Sequence, residues 1–467
     1  MDRKHTLFPP KLIIGAFFIS ALYWAYLFFT TRMFISADAI GFERLGDVIY
    51  RNGWVEFFKT GPNREPLYPL TIAISMYWAD CLNISYQTIQ KIFHIFLLFT
   101  TAFLVYKILK KLKMSNIIIA LTLIYFGFSP AIVNSAFSLF CEIMTYPFIL
   151  GIVFISTAAW QAINNDKLLK IILLGLGLAT LFVLLTLIKA IAEIILFVFL
   201  LPFYYRVIKA VITKHKKQLM GSLVFLVVTI LTTQACLISY KKLNQKYNGH
   251  FTITDRGSWL MYGNIARRTE QLKPRQFLSA FAYAHGEGLC QTLFPQEECA
   301  FWSFKEADGR GLTKLNELRG QGVAESEIDS RLIRVSISKI SENPFQFAVL
   351  MAIENLKMIF WESTKLGYVA YPTWLEKIFD FVPFKNGLRL AVYLITIFSL
   401  ICLVRYTWQQ RAKFDEDTSL IFFLLVFLFS YIMLYSVVCV VARYIIPIAP
   451  LYLIGIAFCA QKIIFKR

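Results

Sequence analysis

Eight ionisable side chains border or interrupt apolar sequence: Asp38, Glu43, Arg44, Glu65, Glu142, Lys189, Glu193 and Arg443. Charged groups beside a hydrocarbon phase are costly and usually face a cavity or one another. A carboxylate held there can take a proton from a hydroxyl, and a fixed cation can stabilise developing negative charge. Six of them also have a plain structural reading. Glu43 and Arg44 form a solvated pair, and Lys189 and Glu193, four apart, form an ion pair on one helix. Glu142 opens a helix and meets its dipole. Asp38 caps the helix expected over residues 39–50. These readings leave unexplained why all eight fall at one face of the membrane topology.

That topology follows from composition. The chain has 467 residues, 57% of them hydrophobic and 16% charged, with 44 Phe. Crossing a bilayer takes about 20 apolar residues per helix, and only helices or closed barrels satisfy their backbone in lipid. Long apolar runs rather than alternation make this an all-α integral membrane protein. About ten runs qualify, over residues 12–30, 89–106, 117–129, 144–162, 168–187, 190–203, 220–239, 388–403, 420–436 and 441–459. The net charge of +19 is concentrated in short connections such as Lys107–Lys113 and Arg206–Lys217, the positive-inside pattern. With no nucleic-acid motif beside it, the charge implies a lipid bilayer as partner and no nucleic acid. Arg3, Lys4 and Lys11 precede the first run, which reads as an uncleaved span leading outwards.

The order of the spans divides the chain into three parts. Residues 1–240 form a transmembrane module with a first external loop over 31–85. Residues 241–345 form a small, mainly helical external domain. Residues 346–467 form a second interfacial and transmembrane module. Within the loop, residues 66–78 read as a helix at the interface, anchored by Tyr68, Tyr77 and Trp78, and the aromatic stretch over 367–374 reads the same way. An apolar helix is expected over residues 344–361.

Six of the eight cysteines lie in or beside apolar runs as small packing residues. Cys290 and Cys299, nine apart in the polar segment, are either two free thiols or a disulfide that would place the segment in an oxidising compartment. No HExxH, paired CxxC, P-loop or dinucleotide fingerprint occurs.

In order along the chain stand Ser36-Ala-Asp38-Ala with Gly46 behind it, Arg64-Glu-Pro-Leu-Tyr-Pro69, Glu142 ahead of a span, Lys189 after the fifth span, and Ala442-Arg-Tyr444 with Pro447 and Pro450 before the last. This series resembles the polytopic type-C (GT-C fold) glycosyltransferases, especially bacterial members similar to protein O-mannosyltransferases and the lipid A aminoarabinose transferase. The chain departs from them in having Lys189-Ala190 where they often have Arg-Pro, and Glu65-Pro66 where related enzymes often have two prolines. The resemblance implies a GT-C-like bundle in the inner membrane with its active site facing the periplasm or cell exterior. It implies transfer of a sugar, with inversion, from a polyprenyl-phosphate carrier to a glycan, lipid or protein acceptor. It assigns catalysis to Asp38, as general base, and Glu142, and phosphate binding to Arg443, then Lys189 and Arg64. Glu65, Tyr68 and Tyr444 are expected substrate contacts. It makes no cofactor certain and allows a divalent metal. The alternative is a transporter or flippase of lipid-linked sugars, although the acids gather at one face rather than at mid-membrane.

Overall fold

The structure is a computed structural model that describes residues 11–363, 368–411 and 414–464, without the side chain of residue 442. The basic residues Arg3, Lys4 and Lys413 and the start of the 367–374 stretch lie outside the described residues. The first half contains helices α1 (Lys11–Thr30), α2 (Asp38–Lys59), α3 (Leu67–Leu82), α4 (Tyr86–Lys111), α5 (Asn116–Phe128), α6 (Pro130–Phe137), α7 (Glu142–Asn164), α8 (Leu168–Thr186), α9 (Ala192–Phe199), α10 (Leu201–Ile212) and α11 (Lys216–Asn248). Then come α12 (Arg256–Thr269), α13 (Pro274–His285), α14 (Glu287–Leu293), α15 (Gln296–Phe301), α16 (Phe304–Gly320), α17 (Glu325–Glu342) and α18 (Pro344–Asn355). The last part holds α19 (Thr373–Asp380), α20 (Val382–Gln409), α21 (Glu416–Val438) and α22 (Ala449–Ile464), with a 3-10 turn over Ala442–Ile448 leading into α22. The only sheet among the described residues pairs β1 (Arg32–Met33) antiparallel with β2 (Val369–Ala370).

The chain is an all-α membrane protein. Among the described residues nine helical stretches are long and apolar enough to cross a bilayer, and α5 with α6, bent by 49°, makes a tenth if the pair is one span. Each of the ten apolar runs read from the sequence coincides with one of these. Among the boundaries that differ, two have a clear physical reading. The switch to polar sequence at Lys241 falls inside the continuous α11, because a helix carries on through a change of composition when its neighbours hold it; here Lys241 Nζ pairs with Glu193 at 2.8 Å. The helix expected over 344–361 ends at Asn355 and tightens into a 3-10 turn over Leu356–Ile359.

Contacts between helix ends sort the connections into two sets. Lys111 pairs with Glu416 at 2.9 Å, the Ser115 N–H donates to Gln461, and Lys217 pairs with Asp166 at 2.9 Å; these basic turns mark one end of the bundle. At the other end Lys91, near the start of α4, donates from Nζ to the carbonyls of Phe28 (3.1 Å) and Thr31 (2.6 Å) at the end of α1. A cation on the last carbonyls of a helix satisfies them and complements the dipole. All the polar residues expected to act lie toward this second end.

The close approach of α2 to α3 depends on Gly46. A Cβ there would stand 2.6 Å from Ile72 Cγ2 and 3.2 Å from the Pro69 carbonyl. The absence of a side chain lets the helix that begins with Asp38 lie flat against the helix that follows Arg64.

Candidate functional site

Asp38 is the first residue of α2 and does not cap it: the cap position is Ala37, which makes no side-chain hydrogen bond to the helix. Ala37 has φ 49° and ψ −121°, a sparsely populated conformation for a residue with a Cβ. Just ahead of it, the Phe34 N–H donates to Tyr368 O at 2.8 Å beside the β1–β2 pair. These features fix the entry to α2 and leave the Asp38 carboxylate free to pair elsewhere.

It pairs with arginines from distant parts of the chain. Oδ1 accepts from Arg64 Nη2 and Oδ2 from Arg443 Nη2, and Arg256 Nη1 stands 3.9 Å from Oδ1. Burial alone would raise the Asp38 pKa, but the Arg443 and Arg64 guanidiniums outweigh it and hold the carboxyl well below the usual carboxylate range. Arg443 also brings Nε to 3.1 Å from Glu142 Oε1, out of line for a hydrogen bond, and lies 4.4 Å over the Phe140 ring. Glu142 is 1% exposed, and its Oε1 takes the ammonium of Lys189 at 3.0 Å. Lys189 is held charged, well above its usual pKa, because the paired Glu142 carboxylate outweighs its burial. In this directly paired set four cations, Arg64, Arg256, Arg443 and Lys189, share two carboxylates.

The loop after α2 and the turn between α8 and α9 are hooked together beside this set. Glu65 Oε1 accepts from the Ala190 N–H at 3.0 Å, and the Leu67 N–H donates to Leu187 O at 3.0 Å. Glu65 thus holds the turn that carries Lys189. The Tyr444 ring lies 5.2 Å from Lys189 Nζ and 5.9 Å from the Arg443 guanidinium, near both cations. Tyr68 is 1% exposed, with its hydroxyl 3.4 Å from His94 Nε2. It packs edge-on against Phe42, whose ring also faces the Arg64 guanidinium at 4.9 Å. Tyr68, expected as a substrate contact, is buried and supports the Arg64 side of the site through Phe42.

Two pairs expected from spacing do not form among the described residues. Glu43 accepts from the Tyr86 hydroxyl; adjacent helical residues such as Glu43 and Arg44 point to different faces. Glu193 pairs with Lys241 rather than Lys189, since α9 starts at Ala192 and the turn before it breaks the helical i,i+4 geometry. Cys290 and Cys299 form a disulfide across a Cα separation of 5.8 Å. No three His, Cys, Asp or Glu side chains gather as a metal-ligand set among the described residues.

Sequence reading missed what the polar segment contributes. The Asp255 N–H donates to Pro62 O at 3.1 Å, docking the start of α12 on the Arg64 loop and presenting Arg256 to Asp38. Asp308, on α16, stands within electrostatic reach of Arg256 and Asp38, and burial raises its pKa. Its Oδ1 is buried with no hydrogen-bond partner among the described residues. Gly263 allows this placement, because any Cβ there would collide with the Ala307 carbonyl. The signal in the sequence was the small Gly263 and Gly311 pair, which lets α12 and α16 touch.

Beside the hook lies an apolar groove of about 420 Å³, walled by Trp54, Phe58, Leu70, Leu187, Tyr240 and Tyr247. Pro66 and Leu67, which follow Glu65, also reach it. A scan against protein-family models finds no match to the chain, and a search of curated proteins finds none either.

Proposed function

We propose that the chain is a glycosyltransferase that moves a sugar from a polyprenyl-phosphate carrier to an acceptor hydroxyl at the outer membrane surface, with inversion. The observation that carries this reading is the Asp38 carboxylate held between Arg64 and Arg443, cations from opposite ends of the chain, with Lys189 close behind. An acid ringed by surplus cations, with an apolar groove lined by Pro66, Leu67 and Leu187 close to Glu65 and Lys189 in the chain, suits a ligand that is anionic at one end and greasy at the other. The carrier phosphate takes the cations, as guanidinium forks bind phosphate well, and the first prenyl units enter the groove beside Leu67 and Leu187.

On this reading donor binding also activates the base. In the resting protein both Asp38 oxygens are occupied by guanidiniums. A phosphate competing for Arg443 frees Oδ2 to accept the acceptor's proton as its oxygen bonds to the anomeric carbon. The carbon–oxygen bond to phosphate breaks with its electron pair on the phosphate, where Arg443, Arg64 and Lys189 stabilise the charge. The disulfide of the polar segment fits an oxidising compartment on this side, such as a periplasm.

Purified protein reconstituted with labelled polyprenyl-phosphate sugar tests this. Loss of sugar from the lipid supports transfer, while intact donor moved across the bilayer would mean transport instead. Asp38→Asn should abolish turnover while leaving donor bound. Near-normal turnover by that variant would remove the base assignment.

A further inference from the structure

At the end of the bundle away from Asp38, the turns between α7 and α8 and between α10 and α11 enclose a cleft of about 460 Å³. Its lining carries the unbroken basic run Lys214-His215-Lys216-Lys217 and a single acid, Asp166. The walls are built rather than loose. Arg206, 5% exposed, donates to the Trp160 carbonyl at 3.1 Å and to Asn164 Oδ1 at 2.5 Å, which fixes the end of α7. Opposite, the His215 N–H donates to Ala210 O at 2.9 Å and Lys214 takes φ 56°, so the run folds sharply back on α10. The 33-residue α11 starts at Lys216 with no side-chain cap on its first turn, adding the positive end of a helix dipole to the lysines.

The one acid is weakly committed. Asp166 holds Lys217 at 2.9 Å, with the two side chains 50% and 81% exposed, an arrangement that contributes little and yields to a stronger anion. Directly beside the basic run the surface turns apolar. Ile212 is 75% exposed and Leu169 72% exposed, on the two helices that flank the cleft. A free anion gains nothing from these side chains, whereas a lipid gains from both parts. Basic pockets between membrane helices suit phosphate-bearing lipid head groups.

We propose that this cleft binds the head group of an anionic phospholipid, with its phosphate on Lys214, Lys216 and Lys217 and its acyl chains along Ile212 and Leu169. The site is separate from the one around Asp38 and does not depend on the transfer reaction. Titrating the purified full chain in detergent with phosphatidylglycerol or phosphatidylcholine, with bound lipid read by native mass spectrometry, tests it. Phosphatidylglycerol should bind more tightly than phosphatidylcholine, and millimolar inorganic phosphate should not displace it. The Lys216→Ala/Lys217→Ala double variant should lose about thirtyfold in affinity, at roughly fivefold per lysine. Asp166→Asn, which removes the competing acid, should bind a few-fold more tightly. Equal retention of the two lipids, or unchanged affinity in both variants, would overturn the proposal. Displacement by phosphate alone would make the cleft a soluble-anion site and overturn its assignment to lipid.

Discussion

Replacing Glu142 by glutamine separates the buried counter-ion from the shape it fills. The Glu142 carboxylate is 1% exposed, with Oε1 3.0 Å from Lys189 Nζ and 3.1 Å from Arg443 Nε. Glu142→Gln keeps the volume and an acceptor for Lys189 but removes the charge. Lys189 is then left with no paired carboxylate in the set, and Asp38 alone faces the three arginines. Taking one partner from a buried pair costs about 3–5 kcal/mol, and the retained acceptor points to the lower end, about 3 kcal/mol. With an unfolding entropy of about 2 cal/mol/K per residue over 467 residues, that is a fall of about 3 °C in Tm. The same change removes the charge that a ligand phosphate must compete with. A unit charge at 4 Å is worth roughly 4 kcal/mol at an effective dielectric near 20, enough for a bound anion to restore the loss. The assay is thermal unfolding in detergent with and without a saturating short-chain polyprenyl phosphate. The variant should melt lower than the parent without ligand and rise further on adding it. An unchanged Tm, or a ligand-induced rise no larger than the parent's, would refute the view of Glu142 as the counter-ion that the phosphate relieves.

Other perturbations read other parts of the site. Arg443→Ala should weaken binding of the lipid-phosphate donor about tenfold to a hundredfold, the loss of one charged hydrogen-bonding partner; equal donor affinity in an equilibrium binding assay would exclude that contact. Asp308→Asn should raise KM for the acceptor and leave donor affinity near the parent value, because Asp308 brings a buried oxygen with no hydrogen-bond partner among the described residues within electrostatic reach of Arg256 and Asp38; a donor defect as large as that of Arg443→Ala would contradict this. For pH, the folded Asp38 pKa is depressed by Arg443 and Arg64, so its ion pairs add stability above the unfolded value of about 4 and lose it as pH falls below that. Asp38→Asn should therefore flatten the acid side of the stability profile, and an unaltered acid limb would mean the pairs add nothing. Cys290→Ser should cost about 2.5 kcal/mol for a loop closed over nine positions, seen as faster proteolysis within residues 286–302; an unchanged cleavage rate would show that packing alone holds α14 and α15.

The sequence made the bilayer frame legible because lipid leaves few options. Every backbone polar group in the hydrocarbon must be satisfied within its own helix, so each span has to appear as an unbroken apolar run. Packing between helices is less visible. The break between α5 and α6 comes at Ser129-Pro130, where the Ser129 hydroxyl caps the new helix; the Ser-Pro pair marks a boundary in the sequence, but not the 49° turn made there. The burial of Tyr68 was hidden for a related reason. An aromatic residue beside a polar loop looks the same in sequence whether its hydroxyl faces an opening or His94.

The site residues divide along a similar line of contrast. Asp38, Glu142, Lys189 and Arg443 are charges set against apolar sequence, where an unpaired charge is expensive, so each pointed to a partner before any geometry was known. Arg256 and Asp308 lie in a polar segment where charges are common and cheap, and no spacing rule marks them. What brings them to Asp38 is the docking of the Asp255 N–H on Pro62 and the close packing of α12 on α16 at Gly263, both contacts between parts far apart in the chain. The consequence is that the membrane frame alone supplies Arg64, Arg443 and Lys189 for an anion, while the polar segment completes the ring around Asp38 with Arg256 and adds Asp308, whose Oδ1 has no hydrogen-bond partner among the described residues. On the proposed chemistry, then, phosphate recognition belongs to the frame, and discrimination of the acceptor belongs to the segment the sequence left without a motif.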